Sequence, residues 1–329
     1  MIEPRWRAKN EYRRTDRERF ASVPRGRSWW PIATAPCGPA VGSHCGVLRL
    51  ATLLSLRVLR RPVIGLLAVL TFAGVGPAHS QAKLDADYAV TLLGIPIVHI
   101  SWTLAIQDNQ FSGAANGATS GLLRAFSAGS GTATANGSVA AIQPKPANFA
   151  LTIVNNKGSD GEKIVFSGGH AKEYLDHPQT TSPSWVPLTD AHRVGVVDPM
   201  TALLFHVPGT GNLVVPEACQ RKIAVFDGHM RYDLQLAFKR LDKVRANSGY
   251  QGPVVVCSVS FSPVAGYEPG RYTIRYVAAQ HDIEIWLAPL AGTRLLVPFR
   301  AYTPTPMGPG ILQATRFVVS PQSSAMNTH

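Results

Sequence analysis

The sequence lacks the short motifs that most often mark an enzyme. It has no G-x-S-x-G elbow for a serine nucleophile, no G-x-x-x-x-G-K-[ST] phosphate loop, no H-E-x-x-H zinc pair and no C-x-x-C. "GTGNLV" at Gly209 carries half of a dinucleotide fingerprint, but no helical pattern follows, so it reads as a loop. The histidines beyond residue 80 are His99, His170, His177, His192, His206, His229, His281 and His329. None stands at i, i+4 or at metal-type spacing from another, and His281-Asp282 reads as a solvated turn. Neither a metal nor a cofactor is expected.

Acidic residues are also few, 20 Asp and Glu against 32 Lys and Arg. The excess of positive charge does not point to nucleic acid, because it is unevenly placed. Residues 1–80 hold 13 Lys and Arg against 4 Asp and Glu, which leaves 19 against 16, about +3, for the rest. The basic part has the order of a secretory signal peptide. Arg57, Arg60 and Arg61 precede an apolar run from about Val63 to Val75, and small residues follow through Ala78-His79-Ser80. That run is shorter than the roughly 20 residues a membrane-spanning helix needs, so the mature chain is expected to have no transmembrane segment. Residues 1–56 are Arg-rich without periodicity and read as a disordered extension or a mis-assigned start, and residues 57–80 as the signal peptide. Residues 81–319 then form one domain and 320–329 a flexible tail. The expected location is the periplasm.

Cysteine is rare, four in 329 residues. Cys37 and Cys45 match no site. Cys219 and Cys257, an even number in an exported chain, sit beside strand-like residues in "LVVPEAC" and "VVVCSVSF". They are read as a disulfide, worth roughly 4 kcal/mol in the chain-entropy model for a loop of this length, the alternative being two buried thiols.

What the sequence does have is alternation. "YAVTLLG", "PIVHISWTLAI", "NFALTIVNN", "EKIVFSG", "CQRKIAVF", "MRYDLQLAF", "GPVVVCSVSF", "YTIRYVAA", "IEIWLAP", "RLLVPFRAY" and "LQATRFVV" each read as a strand, with Gly, Pro, Asn and Asp between many of them. This predicts an all-β domain: a curved antiparallel sheet forming a barrel or half-barrel, with one or two short helices. Asp198 as N-cap with Pro199 at the first helical position predicts a short helix from about Pro199 to His206. "SGLLRAFSAG" is a weaker helical candidate, and "AGSGTATANGSVAAI" a thin strand or a loop. Asp227-Gly228, between two alternating runs, predicts a two-residue type I′ hairpin turn. Beyond it, Arg231 and Asp233 share one face of the strand, opposite Met230, Tyr232 and Leu234, which allows an ion pair there without making an active site.

"VVDPMTALL", "FDGHMRYDL", Gly252-Pro253 ahead of "VVCSVSFSPVAGY" and an early "LLGIPI" resemble the exported bacterial proteins of the domain of unknown function 3108 family, over about Ala86 to Val319. His99 departs from that pattern, where a small residue is expected. The resemblance implies a periplasmic, mostly antiparallel β protein and no established activity.

Two sets of residues remain as candidate sites. Asp198, Asp227, Arg231, Asp233 and Arg271 are the polar groups that a cleft would have to gather for chemistry. Trp102, Phe226, Tyr232, Tyr276 and Trp286 either line an apolar space or fill a core; Phe149, Phe166, Phe261, Tyr272 and Phe299 face the same choice. The expected function is binding of a lipid or other hydrophobic envelope molecule, with a scaffold role among envelope proteins as the alternative and catalysis last. N-terminal sequencing of the precursor is expected to find no peptide upstream of Val58.

Overall fold

The computed structural model describes residues 81–121, 124, 128–139, 143–175 and 182–321. The extension at 1–56, the signal segment at 57–80 and the tail beyond 321 lie outside the described residues, as does most of "SGLLRAFSAG".

Fifteen strands make one sheet: β1 (Ala82–Leu92), β2 (Ile95–Gln107), β3 (Gln110–Thr119), β4 (Gly129–Ser138), β5 (Lys145–Asn155), β6 (Gly158–Ser167), β7 (His170–Leu175), β8 (Phe205–His206), β9 (Arg221–Phe226), β10 (Arg231–Arg245), β11 (Ser248–Gly249), β12 (Gln251–Ala265), β13 (Glu284–Pro289), β14 (Leu295–Thr305) and β15 (Gly308–Ser320). Their order is β7-β6-β5-β4-β3-β2-β1-β15-β14-β13-β12-β10-β9, with β8 beside β14 and β11 beside β15. Strand β1 shows why the alternation was informative. Ala82, Leu84, Ala86 and Tyr88 are buried, while Lys83, Asp85 and Asp87 between them are not. Repeated along the sheet, that alternation produces an interior packed with Leu84, Trp102, Leu104, Ile106, Phe149, Ile164, Phe226, Val254, Val256, Phe299 and Phe317.

Strands β9, β10 and β12–β14 bury their other face as well. Val255, Cys257, Leu287 and Leu296 point there and meet Val197, Ala202, Phe205, Val214, Ala218 and Cys219 of the segment before β9. Cys219 and Cys257 form a disulfide across this second core, with Cα atoms 5.4 Å apart and both residues fully buried.

The two ends of the sheet nearly meet. Val194 pairs with His170 of β7 and Val197 with Val225 of β9. Gly195 N–H donates to Gly169 O at 2.8 Å, Val197 N–H to Ala224 O at 2.9 Å, and Phe226 N–H to Val197 O at 2.9 Å. The result is a nearly closed, barrel-like antiparallel sheet.

Four local expectations are corrected. "YTIRYVAA" is not a strand but helix α1 (Tyr272–Ala278). Since β12 pairs directly with β13 (Val255↔Leu287 to Ser258↔Glu284), residues between them have no ladder position, and a helix satisfies its own backbone groups. The helix expected at 199–206 shrinks to one 3-10 turn, Thr201–Leu203, because Phe205 and His206 pair with Leu296 and Leu295 of β14. Asp227-Gly228 is part of a four-residue loop between paired Phe226 and Arg231, not a two-residue turn. Only Gly228 there has positive φ (92°), and Asp227 Oδ1 accepts from the N–H groups of His229 (3.0 Å) and Met230 (2.7 Å). Strands β3 and β7 were not foreseen, and the "thin strand or loop" at 128–142 is strand β4 over its described middle.

Replacing both Cys219 and Cys257 with Ala is expected to cost roughly 4 kcal/mol, read as a lower urea midpoint against the parent under non-reducing conditions.

Candidate functional site

The polar residues singled out by the sequence do not converge. Asp198 is fully buried below the 3-10 turn, where Oδ1 accepts from Met200 and Thr201 N–H at 2.9 Å each and Oδ2 accepts from the Thr201 hydroxyl. Burial pushes its carboxyl up, against the pull of those hydrogen bonds. Its carboxylate accepts backbone N–H groups as the sequence suggested, but the shorter turn has Met200 as its N-cap and Asp198 stands two residues before it. Arg231 and Asp233 do pair, Nη1 to Oδ1 at 2.6 Å, and Lys222 Nζ reaches the other carboxylate oxygen at 2.9 Å. Burial would raise Asp233, but the two cations prevail and hold it below the usual carboxylate range. Arg271 is exposed at the start of α1, and among the described residues no hydrogen bond or ion pair joins it to the other four.

A different polar set gathers at the seam between β7 and β9. Glu173 of β7 holds Arg193 through two oxygens, with Nε to Oε2 at 2.8 Å, and the guanidinium lies over the Phe226 ring at 5.7 Å. Glu162 of β6 meets His229 Nε2 at 3.2 Å across the seam. That hydrogen bond, with the charges of Glu162, Asp227 and Asp160, raises His229 despite partial burial. Tyr232 is also raised, first by burial and then by Asp227, Asp198 and Glu162. Neither Glu173–Arg193 nor Glu162–His229 is legible in the sequence: Arg193 lies in the 3-10 turn Asp190–Arg193 that comes back to β7, and His229, in the loop between β9 and β10, reaches β6 only when the sheet has curved round. Among the described residues no three His, Cys, Asp or Glu side chains are arranged to hold a metal, and no helix is long and apolar enough to cross a membrane.

The aromatic set mostly fills the core. Phe226 is fully buried; Trp286 is 6 % exposed, donates Nε1–H to Asp242 at 2.9 Å and lies under Arg300 and Arg240. Tyr232 packs on Phe261 with centroids 5.4 Å apart, in the second core, and Tyr276 of α1 stacks beside Tyr272. Trp102 is the exception by position. It is buried, its Nε1–H has no partner among the described residues, and it lies directly across from Ala115, where the interior packing stops.

Beyond that point the inner face of β2–β5 opens into an apolar groove of about 430 Å³. Its walls come from the register. One row is Trp102↔Ala115↔Ala133↔Leu151, and the next is Ile100↔Gly117↔Gly131↔Ile153. Gly117 and Gly131 bring no side chain to the middle of the second row, so Ile100 and Ile153 face each other across a hollow. One row back, Leu104↔Gly113↔Ala135↔Phe149 is closed, with Met200 and the Trp102 ring over Gly113. The signal was present in "SGAANGAT" and "SGTATANG", strands built from small residues, but only pairing shows that the small positions coincide. The volume falls within the roughly 300–1,000 Å³ of small-molecule sites. A smaller cleft of about 310 Å³ beside Arg221 is less suitable, since that guanidinium is committed to the carbonyls of Ala218 (3.0 Å) and His206.

A family model described as "Protein of unknown function (DUF3108)" matches residues 87–315. No curated protein matches the sequence. Among solved structures, the chain is similar to the crystal structure of a β-barrel-like protein of domain of unknown function DUF1849 from Brucella abortus, with a TM-score of 0.43 and 7 % identity over 74 % of this chain and 98 % of that one.

The seam predicts a pH dependence. The folded value of His229 is raised, so its contribution is full below the unfolded value of about 6.5 and is lost as pH rises through the higher folded value. His229→Gln is therefore expected to lower the melting temperature at about pH 5.5 and to leave it unchanged at about pH 9.

Proposed function

We propose that this chain, which belongs to the DUF3108 family of proteins of unknown function, is exported to the periplasm and binds a lipid or another hydrophobic envelope molecule in the groove on β2–β5. The observation that carries the proposal is the row Ile100↔Gly117↔Gly131↔Ile153, where paired glycines leave an apolar hollow at the mouth of the barrel. Among the described residues the hollow has no charged lining side chain, so it suits an apolar chain better than a polar metabolite. The leader pattern supports export, and a buried disulfide is at home in an oxidising compartment. The binding step needs no covalent chemistry: the ligand's apolar surface leaves water and packs on Val98, Ile100, Leu151 and Ile153.

A second reading, a scaffold among envelope proteins, is favoured by Phe238 and Leu241, which stand 41 % and 56 % exposed on β10. Native mass spectrometry with lipid extraction separates the two. A defined apolar molecule at about one per chain supports binding; an empty protein that co-purifies with envelope proteins supports the scaffold.

The groove can be filled without harming its strands. A Cβ at Gly117 would meet Ile100 Cγ1 at 3.6 Å, and one at Gly131 would meet Thr152 O at 3.5 Å, both ordinary contacts. Gly117→Val with Gly131→Val is expected to keep or raise the melting temperature, because branched residues suit strands. The same variant should weaken ligand retention at least about tenfold, or ~1.4 kcal/mol.

A further inference from the structure

The groove opens toward one end of the barrel, and the turns at that end differ from those at the other. Consecutive strands β14, β15 and β1–β6 have four connections there: 306–307, Leu93-Gly94, the β3–β4 connection, whose described residues are Ser120, Gly121, Arg124 and Ala128, and 156–157. Met307 is 66 % exposed, Leu93 61 % and Ile95 52 %. Leu93 lies against Gly308, and its N–H donates to Pro309 O at 3.0 Å, so the tips of the β1–β2 and β14–β15 hairpins form one apolar prominence. Ile153 and Val154, also exposed, continue it along the groove's edge. Arg124 and Lys157, both exposed, are the charged groups among the described residues of these four connections. Of the acids at that end, Asp160 of β6 stands opposite Ile153 at the groove's edge, whereas Asp227, Glu268 and Asp282 belong to connections of β9, β10, β12 and β13, outside this arc. At the opposite end the hairpin connections include Asp108-Asn109, Gly168-Gly169, 246–250 and 290–294, and among the described residues none of these carries an exposed large hydrophobic residue.

Leu93 is also the wrong residue for the turn alone. With Gly94 it occupies a two-residue hairpin turn in which both residues have positive φ, 54° and 81°. Asn or Asp suits the first position, whereas a leucine there is disfavoured by its Cβ and gains nothing in water from its side chain. The turn chemistry and the burial rule therefore both argue against leucine at a solvated tip, and an apolar surface outside the molecule would answer the second and offset the first.

We propose that this rim docks on an anionic lipid bilayer. Leu93 and Met307 enter the boundary between headgroups and acyl chains, Arg124 and Lys157 lie over anionic headgroups, and the mouth of the groove faces the membrane. The docking does not require that the groove hold a ligand, so it stands or falls apart from the proposed binding function.

The test is hydrogen–deuterium exchange of the full chain, with and without vesicles of phosphatidylethanolamine and phosphatidylglycerol, alongside vesicle flotation. Exchange should slow at residues 93–97 and 305–308 and stay unchanged at 107–110 and 167–170. Because the readout is local, a vesicle contact made elsewhere in the chain does not imitate it. Leu93→Asn with Met307→Gln places the preferred residue in the turn, so its melting temperature should hold or rise while the protection disappears and partition to vesicles falls at least about fivefold. Unchanged exchange at the two tips in the presence of vesicles overturns the proposal, as does a variant that partitions like the parent. Loss of bound lipid in Gly117→Val with Gly131→Val, with tip protection intact, supports docking and groove binding as separate properties.

Discussion

The barrel depends on backbone hydrogen bonds made by residues 194–197. A path of thirteen strands that curves round leaves two edges, β7 and β9, each with unpaired N–H and C=O groups. A single short segment serves both, pairing with His170 on one side and Val225 on the other. The same chain then supplies Met200 and Leu204 to the interior and Ala202 and Phe205 to the second core. The full burial of Asp198 follows from this position. It lies where the segment turns inward, and its carboxylate satisfies the N–H groups that the turn exposes.

Side-chain size sets where the interior is solid and where it is hollow. Large residues meet small ones in the closed rows, as with Phe149 against Ala135, and Met200 covers the space above Gly113. In the row of Gly117 and Gly131 no described residue comes from the opposite wall to fill the gap, and the groove results. The disulfide acts elsewhere, fastening the excursion before β9 to the middle of β12, so the groove's walls and the cross-link are separate features of the chain.

Several details were legible because they are local. Asp198 was identified as an acceptor of backbone N–H groups from its neighbours, and a spacing of two on a strand allowed the Arg231–Asp233 pair. The disulfide followed from counting. The failures have equally physical causes. "YTIRYVAA" has β-branched residues at strand-like spacing, yet β12 and β13 already occupy each other's edges and leave it no partner. The sequence leaves the aromatic residues open between lining a space and filling a core; Phe149, Phe226, Trp286 and Phe299 fill it, and the hollow lies among Gly, Ala, Ile, Val and Leu.

By itself the sequence determined the antiparallel β architecture, the positions of most hairpins and the identity of the paired cysteines, since alternation, turn chemistry and residue counts are properties of short stretches. Only the tertiary structure decided which small residues coincide, which strands meet at the seam and which turns share an end with the groove's mouth. The reason is register. A strand's two faces are set by its own residues, but the neighbour opposite each residue is set by pairing and closure over the whole sheet, and Glu162 meets His229 only once the barrel has curved round.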